Sequence, residues 1–285
     1  MHSIPFTKMQ GTGNDFIIID NRELRLPVMT LPVMAKQVCS RRLSMGADGM
    51  MVVDWPDLDG DVKLTYYNSD GSLGEMCGNG ARCVGRFGYE RFSQKSPITI
   101  ETTSGNVLAW RLTEREYKIC LNEPTKLETD FPLLLNGAIL NCAYVELGDP
   151  GLPHAVLLRD DLEKMTDYRE LLTSLARKLR NYAEFPKGAN INFCQVLAPD
   201  HLLIRTYERG VEDFTLACGT GSASAVAALQ AAGKLAMGAV KVSNPGGDLT
   251  VEPVWQDGKV TELVLTGPTT MIADGLLTDE DLELI

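Results

Sequence analysis

Two stretches decide how this chain is read: MCGNGARC at Met76–Cys83 and ACGTGSAS at Ala217–Ser224. Each sets a cysteine before Gly-x-Gly and then a run of small or helix-compatible residues. Each also follows a β-branched or aromatic segment, Val62–Tyr67 and Leu202–Tyr207, and a polar turn containing glycine. The cysteines, Cys77 and Cys218, stand about half of the 285-residue chain apart. The repeat predicts two similar halves, each carrying a thiol to the start of a helix.

Outward from these stretches, short apolar or β-branched runs alternate with Gly, Pro and Asn turns. Strands are expected at Phe16–Asp20, Met50–Asp54, Val62–Tyr67, Ile98–Thr102, Val107–Leu112 and Tyr117–Leu121. In the second half they are expected at Ala143–Leu147, Ala155–Leu158, Ile191–Leu197, Leu202–Tyr207, Val240–Val242, Leu249–Val254 and Val260–Leu265. Helical patterns cover Leu31–Cys39, Gly78–Phe92, Tyr168–Tyr182 and Gly219–Ala232. The last of these is nearly all Ala, Val and Leu, and a helix apolar all round is a buried one. The order of events predicts an α+β fold of two similar domains, joined by a polar connection near Glu123–Leu134 where Pro124 and Pro132 interrupt the pattern.

The length allows one large or two medium domains. With 27 basic and 38 acidic side chains the net charge is −11, which disfavours nucleic acids and anionic membranes as partners. An anionic substrate would then need local positive devices, such as helix N-termini or a buried arginine. No basic segment followed by an apolar core opens the chain, and Gln230, Gly233 and Lys234 interrupt its longest apolar stretch. Seven cysteines without framework spacing are expected to be reduced thiols of a cytoplasmic protein.

Glycines at 78, 80, 219 and 221 leave backbone N–H groups free to turn toward a ligand, and a helix N-terminus is an anion site suited to a carboxylate. The same positive end favours thiolate over thiol. Two such ends acting on one molecule would hold a carboxylate between two sulfurs. One, as thiolate, would take the proton from the adjacent carbon, and the other, as thiol, would deliver a proton to the opposite face. No cofactor is required. Alternatives are weaker. Cys39, Cys120, Cys142 and Cys194 read as packing residues, as free cysteines usually are. Cys83 has no second ligand cluster beside it, and with His2, His154 and His201 the only histidines, no metal site is expected. GNGARC and GTGSAS lack the third glycine of a dinucleotide fingerprint, and GxxxxGK[ST] is absent.

With both motifs in hand, the chain resembles the diaminopimelate epimerase family nearly end to end. The likeness rests on KMQGTGNDF at Lys8–Phe16, GADG at Gly46–Gly49, YNSDGS at Tyr67–Ser72, MCGNGARC, PHAV at Pro153–Val156, YERG at Tyr207–Gly210 and ACGTG at Ala217–Gly221. The resemblance implies two pseudo-symmetric domains, each a mainly antiparallel sheet wrapped around a central helix, with the active site in the interdomain cleft. It places residues 1–127 with 272–285 in the N-terminal domain and 128–271 in the C-terminal one. It implies that Cys77 and Cys218 are the thiolate–thiol pair, that Gly78, Asn79, Gly219 and Thr220 hold the reacting carboxylate, and that His154 and Glu208 support the cysteines and the substrate's amino group. Asn14, Asn68, Asn190, Glu208 and Arg209 would grip the substrate, Arg209 through the distal carboxylate. A homodimer is implied as well.

Two departures bear on the substrate. The family commonly reads GNPH before the histidine, whereas this chain reads GDPGLPH with Leu152 in the asparagine's place. Phe214 stands where a polar residue is usual. Both are expected near the pocket wall. They keep open a racemase of another amino acid, for example histidine, beside an epimerase of LL- and meso-diaminopimelate in lysine biosynthesis. A redox or metal-binding module built on Cys77, Cys83 and Cys218 is the alternative of another class.

Overall fold

A computed structural model describes residues 3–74, 77–135, 137–167 and 169–278. Met76 of the first motif and the tail from 279 to 285 lie outside the described residues. Contacts group the chain into two units, Met1–Ile119 with Gly267–Ile285, and Cys120–Thr266.

The first unit runs β1 (Ile4–Gly11), β2 (Asn14–Asp20), the single turn α1 (Asn21–Leu24), α2 (Leu31–Val38), β3 (Gly49–Asp54), β4 (Val62–Asn68), α3 (Gly78–Gly88), β5 (Ile98–Thr102), β6 (Gly105–Arg111) and β7 (Glu116–Leu121). The second runs β8 (Pro124–Leu135), β9 (Ala138–Leu147), β10 (Leu152–Leu158), α4 (Arg169–Arg180), β11 (Asn190–Ala198), β12 (His201–Tyr207), α5 (Gly219–Ala231), β13 (Val240–Asn244), β14 (Gly247–Gln256) and β15 (Lys259–Pro268). The chain then returns as β16 (Thr270–Leu277), which pairs antiparallel with β1.

The two units repeat each other strand for strand. In the first, β16, β1 and β2 pair antiparallel, β2 and β3 parallel, β3 and β4 antiparallel, β4 and β5 parallel, and β5, β6 and β7 antiparallel. In the second, β8, β9 and β10 pair antiparallel, β10 and β11 parallel, β11 and β12 antiparallel, β12 and β13 parallel, and β13, β14 and β15 antiparallel. A helix fills each parallel crossover, as parallel neighbours require: α2 and α4 take the first position, α3 and α5 the second. Mixed α+β architecture with predominantly antiparallel pairing is therefore as expected.

Each helix after a cysteine is buried along nearly its whole length, for different reasons. α5 is GTGSASAVAALQA, and small apolar side chains let strands pack on every face. α3, GNGARCVGRFG, contains two arginines yet is equally buried. Its glycines admit the sheet: a Cβ on Gly85 would meet the Cβ of Ala109 at 2.5 Å, and one on Gly88 the Cδ1 of Ile98 at 2.9 Å. The expected helix to Phe92 is α3 as far as Gly88, followed by a π-helical turn at Tyr89–Ser93.

The polar connection expected at Glu123–Leu134 is a correction: from Pro124 onward the segment forms β8. It is an edge strand of its unit, where Pro124 and Pro132 sacrifice no ladder bond. Phe131 packs on Tyr144 and Phe185, ring centroids 5.5 Å apart in both cases, and Leu133 is fully buried. The segment is thus anchored by apolar contacts.

Candidate active site

Register places the same structural positions in both units. Phe16 pairs with Gly49 and Gly49 with Asn68. His154 pairs with Asn190, and Ile191 with Tyr207. Phe16 and His154 are therefore equivalent, as are Asn14 and Leu152 at the strand starts, and Met51 and Asn192 two residues into β3 and β11. After β4 and β12 each chain turns, makes an isolated bridge (Tyr67 with Leu73, Tyr207 with Phe214) and reaches its cysteine.

Both cysteines are helix N-caps with nearly the same extended backbone, φ −109° and ψ 112° at Cys77, φ −119° and ψ 111° at Cys218. The N–H groups that follow are thereby left without intrahelical partners. The third residue of each helix must be glycine, because the helix end rests directly on the strand beneath. A Cβ on Gly80 would overlap the Cε of Met51, and one on Gly221 the Oδ1 of Asn192.

The sulfurs meet different partners. Cys77 Sγ lies 3.5 Å from Asn14 Oδ1, a carbonyl that accepts from a thiol. Asn14 is aimed by Asp48, whose Oδ2 takes its amide at 2.7 Å, and Asn79 Nδ2 approaches the same Asn14 oxygen at 3.4 Å. Asp48 is in turn bridged by Arg41, which also binds Asp15. Burial would raise the Asp15 pKa, but hydrogen bonds from Arg41 and Lys8 outweigh it and hold the carboxyl below its usual range. Cys218 Sγ, by contrast, accepts the Gly221 N–H at 3.3 Å and lies 3.5 Å from Thr220 Oγ1. An N–H aimed at sulfur favours the thiolate.

Arg82, completely buried, braces the Cys77 side. Its guanidinium donates to Thr12 Oγ1 at 3.1 Å, Asn79 Oδ1 at 3.0 Å and Gly78 O at 3.4 Å. Thr12 holds a left-handed φ of 56°, so this one cation ties a strained loop to the helix start. Desolvation lowers its pKa to about 10, which leaves it charged at neutral pH.

In the second unit His154 is fully buried. Asn190 joins its strand to the following turn, donating to Pro153 O at 3.2 Å and accepting the Arg209 N–H at 2.8 Å. The Arg209 guanidinium donates to Lys187 O, and Glu208 accepts Thr215 Oγ1 at 2.5 Å. Burial first, and the charge of Arg209 second, push the His154 pKa down to about 3, so the ring is neutral.

Within the first unit Cys77, Gly78, Asn79 and Asn14 thus come together, while Asn68 lies on the turn leading to them and donates to Ser72 Oγ at 3.0 Å. In the second, the Asn190 amide joins Pro153, next to His154, to Arg209, and Asn192 reaches His154 Nδ1 while its Oδ1 lies against Gly221 in the helix that follows Cys218. Burial pushes the thiols of Cys39, Cys83 and Cys142 up to about 12 and that of Cys194 higher, as packing residues require. Phe214 is half-buried, its ring packed on Tyr207 and Phe193, centroids 5.7 and 6.1 Å away, against the core of its own unit. Asp48, Arg82 and Asn192 are site residues that the sequence motifs do not single out. Their signal there is slight: a charged residue inside an otherwise buried helix, or one polar residue in an apolar strand.

The model of the family described as diaminopimelate epimerase matches residues 6–123 and 148–272. A protein named diaminopimelate epimerase from Aquifex aeolicus is 36% identical over 98% of this chain and 99% of its own length. One of the same name from Bacillus cytotoxicus is 34% identical over 97% and 98%. Among solved structures, a phenazine biosynthesis protein of the PhzF family from Bacillus anthracis superposes with a TM-score of 0.74 at 14% identity, over 97% of this chain and 99% of that one. A hydroxyproline epimerase from Agrobacterium vitis gives 0.67 at 14%, over 99% and 93%. These two share the fold, and the full-length relatives share the sequence as well. The chain belongs to the diaminopimelate epimerase family.

Proposed function

We propose that the chain interconverts LL- and meso-diaminopimelate by cofactor-independent proton transfer at the α-carbon, serving lysine biosynthesis in the cytoplasm as a homodimer. The observation that carries this is the placement of Cys77 and Cys218 at equivalent helix N-caps of a repeated unit. The α-carboxylate is held by N–H groups at Gly78, Asn79, Gly219 and Thr220, where helix dipoles and free donors favour an anion. One sulfur, as thiolate, removes the α-proton. The resulting carbanion, stabilised by donors aimed at the carboxylate, takes a proton from the thiol of the other. The enzyme ends with thiol and thiolate exchanged, and the reverse reaction restores them. Arg209 and the asparagines Asn14, Asn68 and Asn190 bind the rest of the substrate, and Glu208 takes an ammonium group. The net charge of −11, and the lack among the described residues of any helix long and apolar enough to cross a membrane, support a small molecule as the partner.

Leu152 supports a second reading, a racemase of another amino acid, because it occupies the repeat position of Asn14 without an amide. A screen of amino acids in deuterium oxide separates the two. Diaminopimelate should acquire α-deuterium fastest. Exchange into another amino acid, with none into diaminopimelate, would establish the second reading.

A further inference from the structure

Asn192 is a fully buried amide two residues into β11, and both polar atoms of its side chain are engaged. Its Nδ2 lies 3.1 Å from Ala155 O, 3.5 Å from Asn190 O and 3.3 Å from His154 Nδ1. Its Oδ1 accepts Thr206 Oγ1 at 2.9 Å. Turning the amide over would press its oxygen against two backbone carbonyls, so the nitrogen must face the imidazole. A ring nitrogen that receives an N–H carries no hydrogen itself. The proton of neutral His154 is therefore on Nε2, which is buried and has no hydrogen-bond partner among the described residues.

The repeat isolates this pair. At the equivalent positions of the first unit stand Phe16 and Met51, both fully buried and apolar. One polar pair thus replaces one apolar pair in an otherwise shared scaffold, and the polar pair carries the cost of burying an unsatisfied donor. An orphaned donor of this kind is open to a ligand that accepts from it.

We infer that Asn192 is a positioning residue that locks His154 as the Nε2–H tautomer, making the imidazole a hydrogen-bond donor and neither a base nor an acceptor for the substrate's ammonium. This rests on the placement of His154 in the site proposed above. It narrows that placement: the ammonium falls to the Glu208 carboxylate, and His154 serves an anionic acceptor. Arg209, whose positive charge disfavours imidazolium, keeps the ring in the donor form.

The test is nitrogen NMR of the intact protein labelled at histidine, with the His154 signals assigned by their loss in His154→Gln. Expected are an unprotonated Nδ1 and a protonated Nε2 that do not change between about pH 6 and 8. A protonated Nδ1, or a ring that titrates in that range, overturns the inference. Asn192→Asp turns an acceptor toward Nδ1. It should move the proton there and lower kcat roughly 10²–10⁴-fold with KM little changed, as a wrong tautomer does. Wild-type kcat in a folded Asn192→Asp protein also overturns it. The wild-type spectrum decides the tautomer even if that variant does not fold. Failure of the epimerase reading would appear separately, as absence of α-deuterium in diaminopimelate with the spectrum unaffected.

Discussion

The carbonyl of Asn14 lies 3.5 Å from the Cys77 sulfur, and its amide nitrogen is held from behind by Asp48 at 2.7 Å. A residue that touches the thiol is thus oriented by one that does not. Asp48→Ala should release the Asn14 amide and lower kcat/KM by roughly 10- to 100-fold through misplacement alone. Because the Asp48–Arg41 pair is half exposed, stability should change by less than about 1 kcal/mol. Steady-state kinetics beside a thermal melt separates the two effects.

Gly80 and Gly221 make the same close approach to different neighbours. In an exposed helix, Gly→Ala stabilises by about 1 kcal/mol. Here the sign should reverse, with losses of about 1–3 kcal/mol from overpacking. Gly221→Ala should be the worse, because Asn192 Oδ1 is pinned by Thr206, whereas the atom met at Gly80 is the end of the flexible Met51 side chain. Urea denaturation of the single variants, and partial rescue of Gly80→Ala by Met51→Ala, checks this.

Burial of neutral His154 makes folding pH-dependent. Its folded pKa of about 3 lies below the unfolded value of about 6.5, so between these limits the unfolded chain binds the extra proton. Its contribution is intact above about pH 6.5 and is lost as pH falls toward 3, by up to about 1.4 kcal/mol per unit. His154→Gln should flatten that part of the stability–pH curve measured by denaturant titration.

Arg82 is a buried cation whose guanidinium spans Thr12, Gly78 and Asn79. Arg82→Met keeps most of the volume and removes the charge. Loss of the Asn79 orientation should lower kcat/KM at least roughly tenfold, with a smaller effect on stability than Arg82→Ala. Unchanged kinetics in Arg82→Met would remove Arg82 from the site.

Much of this was legible in sequence because local rules and the fold agree. The strands expected from apolar runs all fall on observed strands, and the cysteines sit where glycine-marked helix starts placed them. β1, β8 and β16 escaped because edge or near-edge strands mix polar residues and proline with their apolar positions, blurring the alternation. The burial of α3 escaped because its composition argues for exposure. Glycines at the contacts, and the terminal nitrogens of Arg82 bonded to Thr12, Gly78 and Asn79, supply what apolar side chains supply in α5. Asp48 and Asn192 were invisible because their work depends on partners distant in sequence, Asn14 for one and His154 for the other. Leu152 is legible as a departure, and the repeat gives it a meaning: it stands at the position from which Asn14 faces the thiol in the first unit.

The proposed mechanism requires two sulfurs acting on one carbon. The most direct measurement is conversion of LL-diaminopimelate in deuterium oxide by the wild-type protein, Cys77→Ala and Cys218→Ala, each purified under reducing conditions so that neither thiol is lost to oxidation. The wild-type protein should form the meso isomer with deuterium at the inverted α-carbon, and both variants should form none. Full activity in either alanine variant would contradict the two-base mechanism.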